Sequence, residues 1–96
     1  MQRSINIGTY SRESGLRLEW VPDFWIAVAI SGNDVTIAAN AEGLRSLAQA
    51  LLTLADESVP DGVHIHLEPG LELEDDSASL VLDRSQSWRS STVRPD

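Results

Sequence analysis

The sequence predicts an α+β fold: an antiparallel or mixed sheet of five to six strands with one main helix packed on one face. Three observations predict it. One long segment, "AEGLRSLAQALLTLADE", repeats its apolar residues every three to four positions, as an amphipathic helix does. Several shorter segments alternate apolar and polar residues, the period of a half-buried strand. The elements run in the order β-β-β-β-α-β-β, and a single helix can cover only one face of such a sheet.

Taken in order, "INI" at residues 5–7 is read as a short first strand. "LRLEW", residues 16–20, sets Leu16, Leu18 and Trp20 against Arg17 and Glu19. Pro22 and Asp23 interrupt it. In "FWIAVAIS", Phe24, Ile26, Val28 and Ile30 share one face and Trp25, Ala27 and Ala29 the other. "GND", residues 32–34, is a turn signal between two apolar runs and predicts a hairpin with "VTIAA", residues 35–39. There Val35 and Ile37 fall on one face and Thr36 on the other.

Asn40 is a good N-cap for the helix over 41–57, because its side chain accepts from an orphan N–H of the first turn. Leu44, Leu47, Ala48, Leu51, Leu54 and Ala55 form the apolar stripe, widened by Leu52. Arg45, Gln49, Thr53 and Asp56 take the other side. Gly43 costs up to about 1 kcal/mol of helix stability relative to alanine, and a close helix–sheet contact would explain its presence. "SVPDG" breaks the helix. "VHIHL", residues 63–67, then alternates strictly, and "EPGLELEDD" is an acidic loop. "SASLVLDR", residues 77–84, is the last strand, with Leu80 and Leu82 on one face.

The 96 residues suit one small domain, expected over 1–84. The tail 85–96, "SQSWRSSTVRPD", has little to bury and is expected to be mobile. Without cysteine there are no disulfides, thiolate metal sites or cysteine nucleophiles. The N-terminal residues lack the apolar core of a signal peptide, and no run is long enough for a membrane span. A cytoplasmic protein that does not engage membranes is the expectation. Fifteen acidic residues stand against seven basic ones, all arginine, for a net charge of −8. That balance repels phosphate backbones, which argues against nucleic acid, and it steers a basic partner inward.

The segments "GLRLEW" (15–20), "NAEGLRSLAQALLTLAD" (40–56), "VPDGVHIHLEPGLEL" (59–73) and "SLVLDR" (79–84) together resemble immunity protein family thirty-two of bacterial polymorphic toxin systems. The helix with its EGLR start and the HIHL strand are the specific parts, and the similarity covers about residues 3–84. "GLELEDD" departs from the glycine-punctuated loop of that pattern. The resemblance implies a protein that binds and neutralises a cognate toxin made by the same cell. It carries over no catalytic residue and no cofactor.

The residues themselves offer three candidate sites. His64 and His66 point the same way on a strand, with α-carbons about 6.6 Å apart, so two imidazoles can grip one metal ion. Zinc needs a third or fourth ligand, which would have to come from carboxylates such as Glu68 or Asp83. The plainer reading makes both histidines polar residues on an uncovered strand face. The acidic run Glu72, Glu74, Asp75 and Asp76 lacks the spacing of a calcium loop and is either solvated or a contact for a basic partner. If the helix covers the other side, the uncovered sheet face carries Trp25, Ala27, Ala29, Thr36, Ala38, His64 and His66, and Trp25 among its small residues makes a flat patch of the kind that marks interfaces. The expected function is therefore non-enzymatic binding of a basic toxin through Trp25, His64, His66, Glu72, Glu74, Asp75 and Asp76. The competing readings are a small metal-binding or hydrolytic protein centred on the two histidines, and a self-associating domain that forms homodimers.

Overall fold

The computed structural model describes residues 9–11 and 15–86. The described residues are α+β, with six strands and one helix in the order β-β-β-β-α-β-β. The segment 5–7 lies outside the described residues, as do Trp88 and residues 87–96 of the tail.

The first pair is β1 (Thr9–Ser11) against β2 (Gly15–Arg17), antiparallel. The strand expected over 16–20 is described over Gly15–Arg17, and the residues opposite 18–20 in its register lie outside the described residues. Glu19 N–H donates to Gln49 Oε1 at 2.7 Å, and Val21 N–H donates to Ser46 Oγ at 2.9 Å. Pro22 and Asp23 then turn the chain. Phe24 N–H closes on Val21 O at 3.2 Å, and Asp23 has φ 67°, the positive value that a type II turn needs at its third position.

The second pair is β3 (Ile26–Ser31) against β4 (Asp34–Ala39). Ser31 faces Asp34, so the loop is the two residues Gly32 and Asn33. Gly32 alone of these has a positive φ, 58°, as a type II′ hairpin turn requires. The helix α1 (Ala41–Ala55) follows, capped by Asn40, whose side chain accepts from Gly43 N–H at 2.7 Å. The third pair is β5 (His64–Leu67) against β6 (Leu80–Asp83).

The expected single sheet is not formed: the described strands make three separate two-stranded antiparallel ladders. The second and third pairs are joined instead by the irregular segment 74–78. Glu74 N–H donates to Ile26 O at 2.9 Å, Ala78 N–H donates to Val28 O at 2.8 Å, and Val28 N–H donates to Ser77 Oγ at 3.0 Å. One of these three bonds uses a side chain, and that is why the segment fastens to β3 without becoming a ladder.

The core is Ile26, Val28, Leu47, Ala50, Leu54, Val59, Ile65, Leu67 and Leu73. Each buried leucine or isoleucine contributes about 1.5–3 kcal/mol relative to exposure. Trp20 and Phe24 stack at 5.1 Å and pack against its rim. The helix buries a different face from the expected one. Gly43, Ser46, Leu47, Gln49, Ala50, Thr53 and Leu54 point inward, while Leu44, Leu51 and Leu52 are exposed. The buried row starts at Gly43 instead of Leu44, a rotation of about 100°, one residue's worth. The cause is polar satisfaction. Ser46 and Gln49 are needed inside to accept the N–H groups of Val21 and Glu19, and Thr53 Oγ1 donates to Gln49 O. The close contact at Gly43 is present: an added Cβ would overlap Trp25 O and lie 2.9 Å from Ala39 Cβ.

Candidate functional site

Trp25 precedes β3 and is held by its backbone. Its N–H donates to Asn40 Oδ1 at 3.1 Å, while Asn40 Nδ2 donates to Asp23 O at 3.0 Å. Asn40 therefore caps the helix and fixes the entry to β3 at once. The Trp25 side chain is 42% exposed. Ala29, Thr36 and Ala38 beside it are exposed and Ala27 is half-buried.

The acidic run divides in two. Glu72 is half-buried and braces its loop, with Oε1 accepting from Glu68 N–H at 3.1 Å. Glu74, Asp75 and Asp76 are exposed. The bond from Glu74 N–H to Ile26 O sets this triplet one residue from Trp25 along β3. Sequence distance hid that proximity. Ser77 N–H closes on Glu74 O at 3.0 Å and shapes the turn.

His64 and His66 do not share a sheet face with Trp25 as expected, because β5 pairs only with β6 in a separate ladder; they lie on the outward face of β5, with rings 5.0 Å apart and tilted by 49°. His64 faces Asp83 and His66 faces Val81 across the ladder. His66 Nδ1 is 3.5 Å from Glu68 Oε2, and Glu68 Oε1 accepts from Ser79 Oγ at 2.8 Å. Among the described residues, no group of three or more His, Asp or Glu side chains is arranged to hold a metal ion.

A cavity of about 230 Å³ lies between the end of α1 and the end of β6, lined by Leu51, Leu54, Ala55, Asp83, Arg84 and Ser85. Its cation is already engaged: Arg84 Nη1 donates to Leu54 O at 2.8 Å and to Asp56 O at 2.9 Å, closing the helix C-terminus. The Asp56 carboxylate accepts from the Ser58 hydroxyl and N–H, which hold its pKa below the ordinary value, with Arg84 adding to the effect.

The apolar surface is larger than the alternation of the sequence implied. Ile30, Val35 and Ile37 share a face with the core residues Ile26 and Val28, yet they are 65%, 62% and 43% exposed. The hairpin runs past the body that covers its root. A strand pattern states which residues share a face, and it carries no signal for where the cover ends.

No helix of the described residues is long and apolar enough to cross a membrane. The family model described as Immunity protein 32 matches residues 34–85, more than half of the chain. No curated protein and no solved structure matches it.

Proposed function

The chain belongs to the Immunity protein 32 family, and from that premise we propose that it is a non-enzymatic protein that neutralises a cognate toxin by direct binding. The family match carries the reading. It spans β4, α1, β5 and β6 and the acidic loop between β5 and β6. The partner is a basic toxin of a polymorphic toxin system, met in the cytoplasm of the cell that makes both.

The contact surface is Trp25 with the adjoining Glu74, Asp75 and Asp76, extended by His64 and His66 on the neighbouring ladder. Glu72 supports the loop from within. The net charge of −8 draws a basic partner in, and an aromatic side chain desolvated in the complex slows its departure.

The test is kinetic. Neutralising Glu74, Asp75 and Asp76 together should slow association with the cognate toxin and flatten its salt dependence. Trp25→Ala should speed dissociation by about 30-fold, equivalent to about 2 kcal/mol, with the melting curve as folding control. Toxin binding that ignores both changes, at a salt-independent rate, would reject this surface.

A further inference from the structure

Among the described residues the outer edge of β4 is unpaired, and its geometry is legible from the bonds on the opposite side of the hairpin. In an antiparallel pair, residues alternate between those bonded to each other and those whose N–H and C=O point outward. Ile26 and Val28 point outward from β3, because their backbone groups meet Glu74, Ser77 and Ala78. Their cross-strand partners are Ala39 and Ile37, and Val35 follows in the same register opposite Ile30. Ala39, Ile37 and Val35 therefore aim their backbone groups away from β3, and among the described residues no strand or loop meets them.

Soluble proteins blunt such edges with proline, lysine, bulges or a covering segment. From Val35 to Ala39 this strand has no charge, proline or glycine. The exposed β-branched Val35 and Ile37 flank the free row, with Ile30 opposite Val35.

We propose that an extended segment of a basic polypeptide adds to β4 as a further strand, pairing with the backbone of Val35, Ile37 and Ala39. The inference rests on the toxin-binding reading and supplies its docking mode. Charge selects the occupant. Asp34 is the only charged side chain between Phe24 and Asn40, and Glu74–Asp76 hang from the other strand of the same hairpin. A second copy would bring another −8 against this one, whereas a cationic strand is attracted. Alternating basic and apolar residues in the partner would place apolar side chains over Val35 and Ile37 and cations outward.

The probe is the synthetic peptide Arg-Val-Arg-Ile-Arg-Val, titrated against the full chain while backbone amide exchange is followed residue by residue. Exchange at Val35, Ile37 and Ala39 should slow by at least about tenfold, with little change at Thr36 and Ala38, which already pair with β3. N-methylation of alternate peptide amides, in the frame that faces β4, should abolish the effect without touching the protein. Ile37→Pro removes one outward donor and should weaken binding about tenfold, whereas Ile37→Thr keeps the N–H and should bind within about threefold. Peptide that binds without protecting Val35, Ile37 and Ala39, or that tolerates N-methylation in both frames, overturns the pairing and leaves toxin binding itself standing. Protection that rises with protein concentration alone assigns the edge to a second copy and overturns the basic partner. A wild-type chain that fails to neutralise its toxin, while the peptide still protects these amides, rejects the functional reading and keeps the strand addition.

Discussion

The β3–β4 and β5–β6 hairpins are both antiparallel pairs with one apolar face, but they are fastened to the helix in different ways. The β3–β4 hairpin meets the helix N-terminus through main-chain contact. Gly43 leaves no room for a Cβ between itself and Trp25 O, and Asn40 ties the helix cap to Trp25 and Asp23. The β5–β6 hairpin is tied to the helix C-terminus through the long, flexible side chain of Arg84. A contact between backbones tolerates no substitution, because neither partner can rotate away. A contact through a flexible side chain tolerates more. The difference also decides exposure. Once its root is locked, the β3–β4 hairpin projects Ile30, Val35 and Ile37 outward, whereas β5 buries both Ile65 and Leu67.

The largest effect should come from breaking the tight end. Gly43→Ala gains up to about 1 kcal/mol of helix propensity but forces the Trp25 carbonyl to move, and overpacking of this kind costs about 1–3 kcal/mol or more. We expect net destabilisation of about 2 kcal/mol by chemical denaturation, with a shift in Trp25 fluorescence. An unchanged or raised midpoint would mean that the two backbones are not in contact.

Next is Asn40→Ala. It removes the N-cap bond to Gly43 together with the bonds to Trp25 and Asp23, so the loss should reach the upper part of the capping range, about 1–2 kcal/mol. Asn40→Ser keeps a cap without the amide donor to Asp23 and should recover part of it. Full recovery by serine would show that the cap alone matters and that the tie to the hairpin does not.

At the looser end, Arg84→Met should cost about 1 kcal/mol, since two carbonyls lose a cationic donor while solvent replaces part of it. A loss as large as that of Gly43→Ala would erase the contrast between the two fastenings.

The smallest effect is one of pH. Asp56 is held below its ordinary pKa by the Ser58 hydroxyl and N–H, with Arg84 contributing and desolvation opposing. A carboxylate whose folded pKa is depressed adds stability that is present above its unfolded pKa and is lost as pH falls through the folded value. The contribution should therefore fade below about pH 4. Ser58→Ala should lower the thermal midpoint slightly at neutral pH, and its difference from the wild type should shrink as the pH is taken down through that window. A difference that grows on acidification would contradict the assignment.

Much of this molecule was determined by its sequence alone. Asn40 caps the helix, "GND" turns the hairpin, and "VHIHL" buries Ile65 and Leu67 while exposing His64 and His66. These outcomes are local. The cap and the turn depend on backbone geometry and hydrogen bonds within a few residues, and the strand's alternation of faces follows from its period, all of which residue type encodes. The tertiary structure decided the rest. It turned the helix so that Gln49 and Thr53 went inside and Leu44 and Leu51 outside, where Gln49 and Ser46 take the part-buried backbone donors of Glu19 and Val21 from another element. It put Leu73 and Val59 in the core from segments that read as loops. It replaced one sheet by three ladders, tied the second and third together through 74–78, and so brought Glu74 beside Trp25 and left the edge of β4 free among the described residues. Periodicity specifies which side chains share a face. What lies over that face, and where the cover stops, depends on contacts between residues far apart in the chain, which no local pattern records.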